Sequence, residues 1–96
     1  MKVNKLSIII PAYNEGRTIT QILDKVKGVE LIEDITKQII IVDDCSSDNT
    51  REVIAEYIDS NTDMEIIAKN HERNKGKGAA LRTGITAATG EYLIIC

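Results

Sequence analysis

The stretch Ile8-Ile9-Ile10-Pro11-Ala12-Tyr13-Asn14-Glu15 is an apolar run that stops at a proline and opens at once into a polar, aromatic and acidic loop. A run without alternation is the signature of a strand covered on both faces, as in a parallel sheet. We therefore read Leu6 to Ile10 as a buried strand, ended by Pro11, that delivers a binding loop. The same pattern returns in Gln38-Ile39-Ile40-Ile41-Val42, which runs into Asp43-Asp44, in Met64 to Ala68, and in Tyr92-Leu93-Ile94-Ile95. All are expected to be strands, and the last to be buried.

Between them the period changes to that of helices. Thr18 stands three residues ahead of Gln21, a capping-box spacing, and Ile19, Ile22, Leu23 and Val26 fall on one helical face that ends near Gly28. Asn49 with Glu52 offers a second capping box, followed by the apolar face Val53, Ile54, Tyr57 and Ile58, with Asp59 to Asp63 ending the helix. A third helix is expected from Gly78 to about Ala88, with Leu81, Ile85 and Ala88 on one side. Its small residues Ala79, Ala80, Gly84 and Ala87 allow close packing, and Gly90 fits its C-terminal cap. Val29 to Thr36 reads as a connection whose Leu31, Ile32 and Ile35 pack under the sheet.

Strand and helix alternating at about 30 residues or less is the βαβ repeat. The fold class predicted is α/β, a Rossmann-like three-layer sandwich with a parallel sheet of about four strands and three helices. No linker or low-complexity tract divides residues 1–96. In such sheets ligands sit outside the carboxyl ends of the strands, where strand order reverses.

Composition narrows the classes. With 96 residues the chain is one domain at most, and without Trp or Phe its core must be Ile, Val, Leu and Ala. A net charge of −3 with interspersed signs provides no basic face for nucleic acid. Cys45 and Cys96 lack any CxxC or Cys/His spacing, which argues for plain thiols in a reducing compartment. The apolar run before Pro11 is too short for a secretory signal or a bilayer span, so the chain is expected to be soluble and cytoplasmic.

Three loops carry chemistry. In Pro11-Ala12-Tyr13-Asn14-Glu15, Tyr offers a flat face, Asn both donors and acceptors, and Glu an acceptor for sugar hydroxyls; the plain alternative is a strand-to-helix turn. Asp43 and Asp44 point to opposite sides of a strand end. One can face a ligand while the other caps the turn through Ser46, or both are turn residues. Asn74-Lys75-Gly76-Lys77-Gly78 is neither a Walker A loop, since Gly78 follows Lys77 where Ser or Thr is needed, nor a dinucleotide fingerprint, since Leu81 occupies its last position. Glycine amides, a helix N-terminus and two lysines still favour phosphate. His71 reads as a surface loop residue, Ser46 and Ser47 as turn and capping hydroxyls, and Cys45 as filling a turn position where many chains would use Gly.

Taken in order, Ser7 to Glu15, Ile41 to Thr50, Asn74 to Gly84 and Thr89 to Ile95 resemble the family 2 glycosyltransferases of the GT-A fold. The Gly-Lys-Gly-Ala-Ala-Leu version of the third motif looks most like the branch that transfers sugars to dolichyl or other polyprenyl phosphates. The resemblance implies a hexosyltransferase-like enzyme with a UDP- or GDP-linked sugar donor. Pro11, Ala12, Tyr13, Asn14 and Glu15 would line the nucleoside site, Asp44 with Val42 and Asp43 would contact base or ribose, and Lys75, Gly76 and Lys77 would lie near the phosphates. Cys45-Ser46-Ser47 departs from the Gly-Ser-Thr or Gly-Ser-Pro usual in the family. There the fourth strand leads into an Asp-x-Asp motif that binds Mg2+ or Mn2+. The sequence stops at Cys96, so metal ligands and any catalytic base are expected outside it, no catalytic residue is assigned within it, and the isolated chain is expected to be inactive. In the complete protein the resemblance places the domain at the inner face of a membrane. Two other classes stay open on the residues alone: a receiver-like signalling domain with an acidic pocket, and an interaction fragment that self-associates through an unfinished sheet edge.

Overall fold

The computed structural model describes residues 4–31 and 35–96. Along the chain run β1 (Asn4–Ala12), α1 (Ile19–Gly28), β2 (Ile35–Asp43), α2 (Thr50–Ser60), β3 (Glu65–Asn70), α3 (Lys77–Ala87) and β4 (Tyr92–Ile95). The strands form one parallel sheet in the order β3-β2-β1-β4. The first two crossovers step outward in one direction and the third returns past β1, so α1 and α2 lie on one face and α3 on the other, as right-handed connections require. This is the three-layer α/β arrangement expected. Ile32, counted in the connection before β2, falls outside the described residues.

The unbroken isoleucine runs are explained by the two layers of helix. Ile8 and Ile10 of β1 and Ile39 and Ile41 of β2 pack with Ile19, Leu23, Val26, Ile54 and Tyr57 on the side of α1 and α2. Alternation turns Ile9, Ile40 and Val42 to the other side, against Ala80 of α3. Full burial of such a side chain contributes about 1.5–3 kcal/mol, so the central strands carry most of the fold's hydrophobic stabilisation. Ser7, the polar exception in β1, is fully buried and donates to Gln38 Oε1 at 2.6 Å, while the Gly90 amide donates to Ser7 Oγ at 2.9 Å. That network ties the start of β4 to the amino end of the sheet.

Several local expectations are corrected. Pro11 does not end β1, which continues to Ala12. Ile9 accepts from Cys96 N, and Ala12 accepts from Asp44 N. Residues of one parity therefore face β4, and Pro11 belongs to that set. It follows Ile9, the last β1 residue paired with β4, so its missing N–H falls where that ladder ends while pairing with β2 runs on to Ala12. Neither capping box forms. Thr18 (φ −119°, ψ −13°) and Asn49 (φ −87°, ψ 18°) lack the extended backbone that turns an N-cap side chain toward the first-turn amides; the Thr18 hydroxyl donates instead to Glu15 Oε2 at 2.5 Å. The third strand begins at Glu65 and runs on to Asn70. The C-cap of α3 is Ala88, not Gly90.

β4 is not buried. Tyr92, Leu93, Ile94 and Ile95 are each about half exposed, at 53%, 47%, 49% and 53%. α3 packs on β1 and β2 rather than β4, which occupies the sheet edge with β1 as its strand neighbour. An apolar run in sequence records a preference for cover, not its presence.

Candidate functional site

Strand order reverses between β1 and β4, and a cleft of about 390 Å³ opens there at the carboxyl ends of the strands. Pro11, Ala12, Tyr13 and Glu15 come to it from the end of β1, Asp44 from β2, and Cys96 from β4. Asn74, Gly76, Lys77 and Ala80 close it from the start of α3.

The wall after β1 is fixed by sewing its loop to the loop after β2. Asn14 takes a left-handed backbone (φ 53°), which asparagine tolerates better than most residues. Its side-chain Oδ1 accepts from the amides of Ser47 at 2.8 Å and Asp48 at 3.3 Å, and its own amide donates to Ser46 Oγ at 2.9 Å. Glu15 N donates to Thr50 Oγ1 at 2.8 Å. Tyr13, between these anchors, is 48% exposed and presents its ring at the cleft.

The two adjacent aspartates divide their work as alternation requires. Asp43, 1% exposed, accepts from the Ser46 amide at 3.2 Å and from the Ser46 hydroxyl, with Arg51 3.8 Å away. It is the turn residue. Asp44 lines the cleft and is held by three donors. His71 Nδ1 lies 2.8 Å and the Lys75 amide 2.9 Å from Oδ1, and the Gly76 amide 2.8 Å from Oδ2. Burial alone would raise its pKa, but the Lys75 amide, the His71 ring and the Gly76 amide outweigh burial and hold the carboxyl below its ordinary 3.8. Since the folded-state value is the lower one, the resulting stability is fully present above pH 3.8 and is lost as pH falls through the folded value. Acid titration followed by circular dichroism should show stability falling in that window in the native chain and a flatter dependence in Asp44→Asn.

Gly76 makes this grip possible. Its φ of +94° and ψ of 164° lie in a region open essentially to glycine, and an added Cβ would meet nothing within 4 Å. Gly76→Ala is therefore a pure backbone test, expected to cost about 1–3 kcal/mol in urea denaturation. α3 starts directly after it with no side-chain cap, and Lys77 of its first turn lines the cleft.

Of the residues singled out in the sequence, Pro11, Ala12, Tyr13, Glu15, Asp44, Gly76 and Lys77 meet at this cleft. Four do not line it. Asn14 is spent on the neighbouring loop, Asp43 on its own turn, and Val42 is fully buried beneath α3. The Lys75 side chain faces adjacent grooves with Lys69 and Arg82 or with Arg73, while its amide reaches Asp44. His71 is not a surface residue: it is 7% exposed and bonded at both ring nitrogens. Its partners lie 27 and 12 residues away, beyond any local motif. Cys45 has φ 62°, in keeping with a turn position that favours Gly. No helix among the described residues is long and apolar enough to cross a membrane. Among the same residues no group of three or more His, Cys, Asp or Glu side chains is placed to hold a metal ion.

Residues 7–96 match the profile of glycosyl transferase family 2. The chain belongs to that family. A dolichyl-phosphate beta-glucosyltransferase of Dictyostelium discoideum is 32% identical over 94% of this chain and 29% of its own length. An undecaprenyl-phosphate 4-deoxy-4-formamido-L-arabinose transferase of Proteus mirabilis is 35% identical over 97% and 28%. Among solved structures, a mannosyltransferase of Pyrobaculum calidifontis in complex with GDP-Man and Mn2+ superposes with a TM-score of 0.85 at 25% identity, covering 94% of this chain and 26% of that one. TarS of S. aureus, residues 1–349, in complex with UDP gives 0.83 at 26% identity over 96% and 26%. This family 2 chain thus spans under a third of the length of these relatives. Membership sets aside the receiver-like alternative and agrees with the GT-A resemblance of the sequence motifs.

Proposed function

We propose that this chain is the nucleotide-sugar-binding portion of a glycosyltransferase that moves a sugar from a UDP- or GDP-linked donor to an acceptor such as a polyprenyl phosphate. The observation that carries this reading is the meeting of Tyr13, Asp44 and the uncapped start of α3 at one cleft of the switch point. A carboxylate has about four acceptor positions, and the three bonds to Asp44 leave about one, on Oδ2, for a base N–H or ribose hydroxyl. Tyr13 supplies a face for base or ribose, and Lys77 with the first-turn amides of α3 supplies positive potential for the diphosphate. Mg2+ or Mn2+ belongs to the complete enzyme, where it would stabilise the departing nucleoside diphosphate. The dolichyl- and undecaprenyl-phosphate acceptors in the relatives' names support action at a membrane, and we propose that the complete protein works at its inner, cytoplasmic face.

Calorimetry with UDP and GDP, with and without Mn2+, tests this. Weak binding that the metal does not strengthen is expected, because the described residues hold no metal group. No heat from either nucleotide at millimolar concentration, or tight metal-dependent binding, would contradict it. The half-exposed edge strand β4 favours self-association as a second property of the isolated chain. Sedimentation should show a mass that rises with concentration, and a monomer throughout would remove that reading.

A further inference from the structure

His71 lies just past β3 and is buried, yet it does not line the cleft. Its amide donates to Asp43 O at 2.9 Å, which extends the pairing of β3 with β2 by one residue. Its ring spans two elements: Nδ1 lies 2.8 Å from Asp44 Oδ1 at the end of β2, and Nε2 lies 2.8 Å from Thr83 Oγ1 on α3. With an ionised carboxylate on one side, Nδ1 carries the proton that is donated to it, and Thr83 fixes the opposite edge of the ring.

We infer that His71 is a positioning residue for the nucleoside cleft, holding Asp44 and the Lys75–Gly76 loop in the one arrangement that leaves an acceptor position of Asp44 open to the ligand. The inference rests on the nucleotide-binding reading above. The χ2 torsion of an aspartate is soft, so the carboxylate plane must be set by its partners. The Gly76 amide comes from the N-cap of α3 and takes Oδ2, while the Lys75 amide from the loop before it shares Oδ1 with the imidazole. Only the imidazole reaches Asp44 from the end of β3, and Thr83 ties its other edge to α3. A planar ring with polar atoms on two edges meets this need, and a flexible donor such as Lys or Ser would not.

The test combines amide hydrogen exchange with nucleotide titration on the 96-residue chain. His71→Ala should speed exchange at the Lys75 and Gly76 amides about tenfold or more while Ile9 and Ile40 in the central strands stay within about twofold, and should weaken UDP or GDP binding about tenfold. His71→Asn places an amide donor near the position of Nδ1, so it should restore both readouts to within about threefold of the native chain. A histidine that only fills space would give equal losses for Ala and Asn, spread over the central strands. That pattern, or native loop exchange and affinity in a folded His71→Ala, would overturn the inference. If His71→Ala fails to fold, Thr83→Val decides: it should loosen the same two amides about threefold, and unchanged exchange there would overturn the role. If the native chain binds neither nucleotide, the nucleotide reading fails and the ligand part of the inference with it. The exchange data then still decide whether His71 holds the loop.

Discussion

Asp44→Ala is expected to abolish nucleotide binding and to lower stability by about 3–5 kcal/mol, the scale seen when one member of a buried charged network is removed. The substitution strips the partner from His71 Nδ1 and from the Lys75 and Gly76 amides at once. Asp44 itself is only 5% exposed, so little water reaches the groups left behind. Asp44→Asn should fall between the two. It keeps one oxygen but turns an NH2 toward a site where every neighbour is already a donor. Urea denaturation gives the stability and calorimetry the affinity. A loss under about 1 kcal/mol for Asp44→Ala would mean that the network is not formed in solution.

The second large effect belongs to Gly84. A Cβ at this position would stand 2.4 Å from Ile9 Cγ2, and Ile9 is fully buried at the centre of the sheet. Neither side can retreat, because Ile9 is held in a strand paired on both edges and Gly84 in a helix that starts at the cleft. Gly84→Val is therefore expected to cost about 3 kcal/mol or more, at the upper end for overpacking. α3 should shift as it accommodates, so nucleotide affinity should fall with stability. The milder pair Gly84→Ala and Ile9→Ala gives a sharper check. Each alone should destabilise, and together they should cost less than their sum by about 1 kcal/mol, because the shortened side chain frees the space that the added methyl fills. Strict additivity in denaturation would show that the helix does not sit this close to β1.

What was legible in the sequence follows from which forces are local. β1 and β2 could be read because burial on both faces leaves a continuous apolar run, and the helices because their stripes repeat within a few residues. The capping boxes could not be read from residue type alone, because Thr18 and Asn49 take backbone angles outside the extended region and neither side chain bonds a first-turn amide. The cover over β4 could not be read, since it depends on what lies beside the strand rather than on Tyr92 to Ile95 themselves. For the candidate site, the strand-end rule points to the end of the sheet where Tyr13, Asp44 and Lys77 line one cleft. The family resemblance adds Val42 and Asp43 to Asp44, and side-chain alternation sends the first under α3 and the second into its turn. Cys96 reaches the cleft because β4 lies beside β1, and strand order is not written in any single segment. His71 was missed for the same reason: its partners are brought by β2 and α3, not by its neighbours in the chain.

The proposed nucleotide site lies at the β1/β4 switch point between Tyr13, Asp44 and the start of α3. Amide chemical shifts followed during titration with UDP and GDP would locate the ligand. Changes are expected to concentrate at Ala12 to Glu15, Asp44 and Asn74 to Lys77, with the groove near Arg51, Ile58 and Asp59 silent. Changes centred on that groove, or on the basic groove of Lys69 and Arg82 with the Asp44 region silent, would contradict that location.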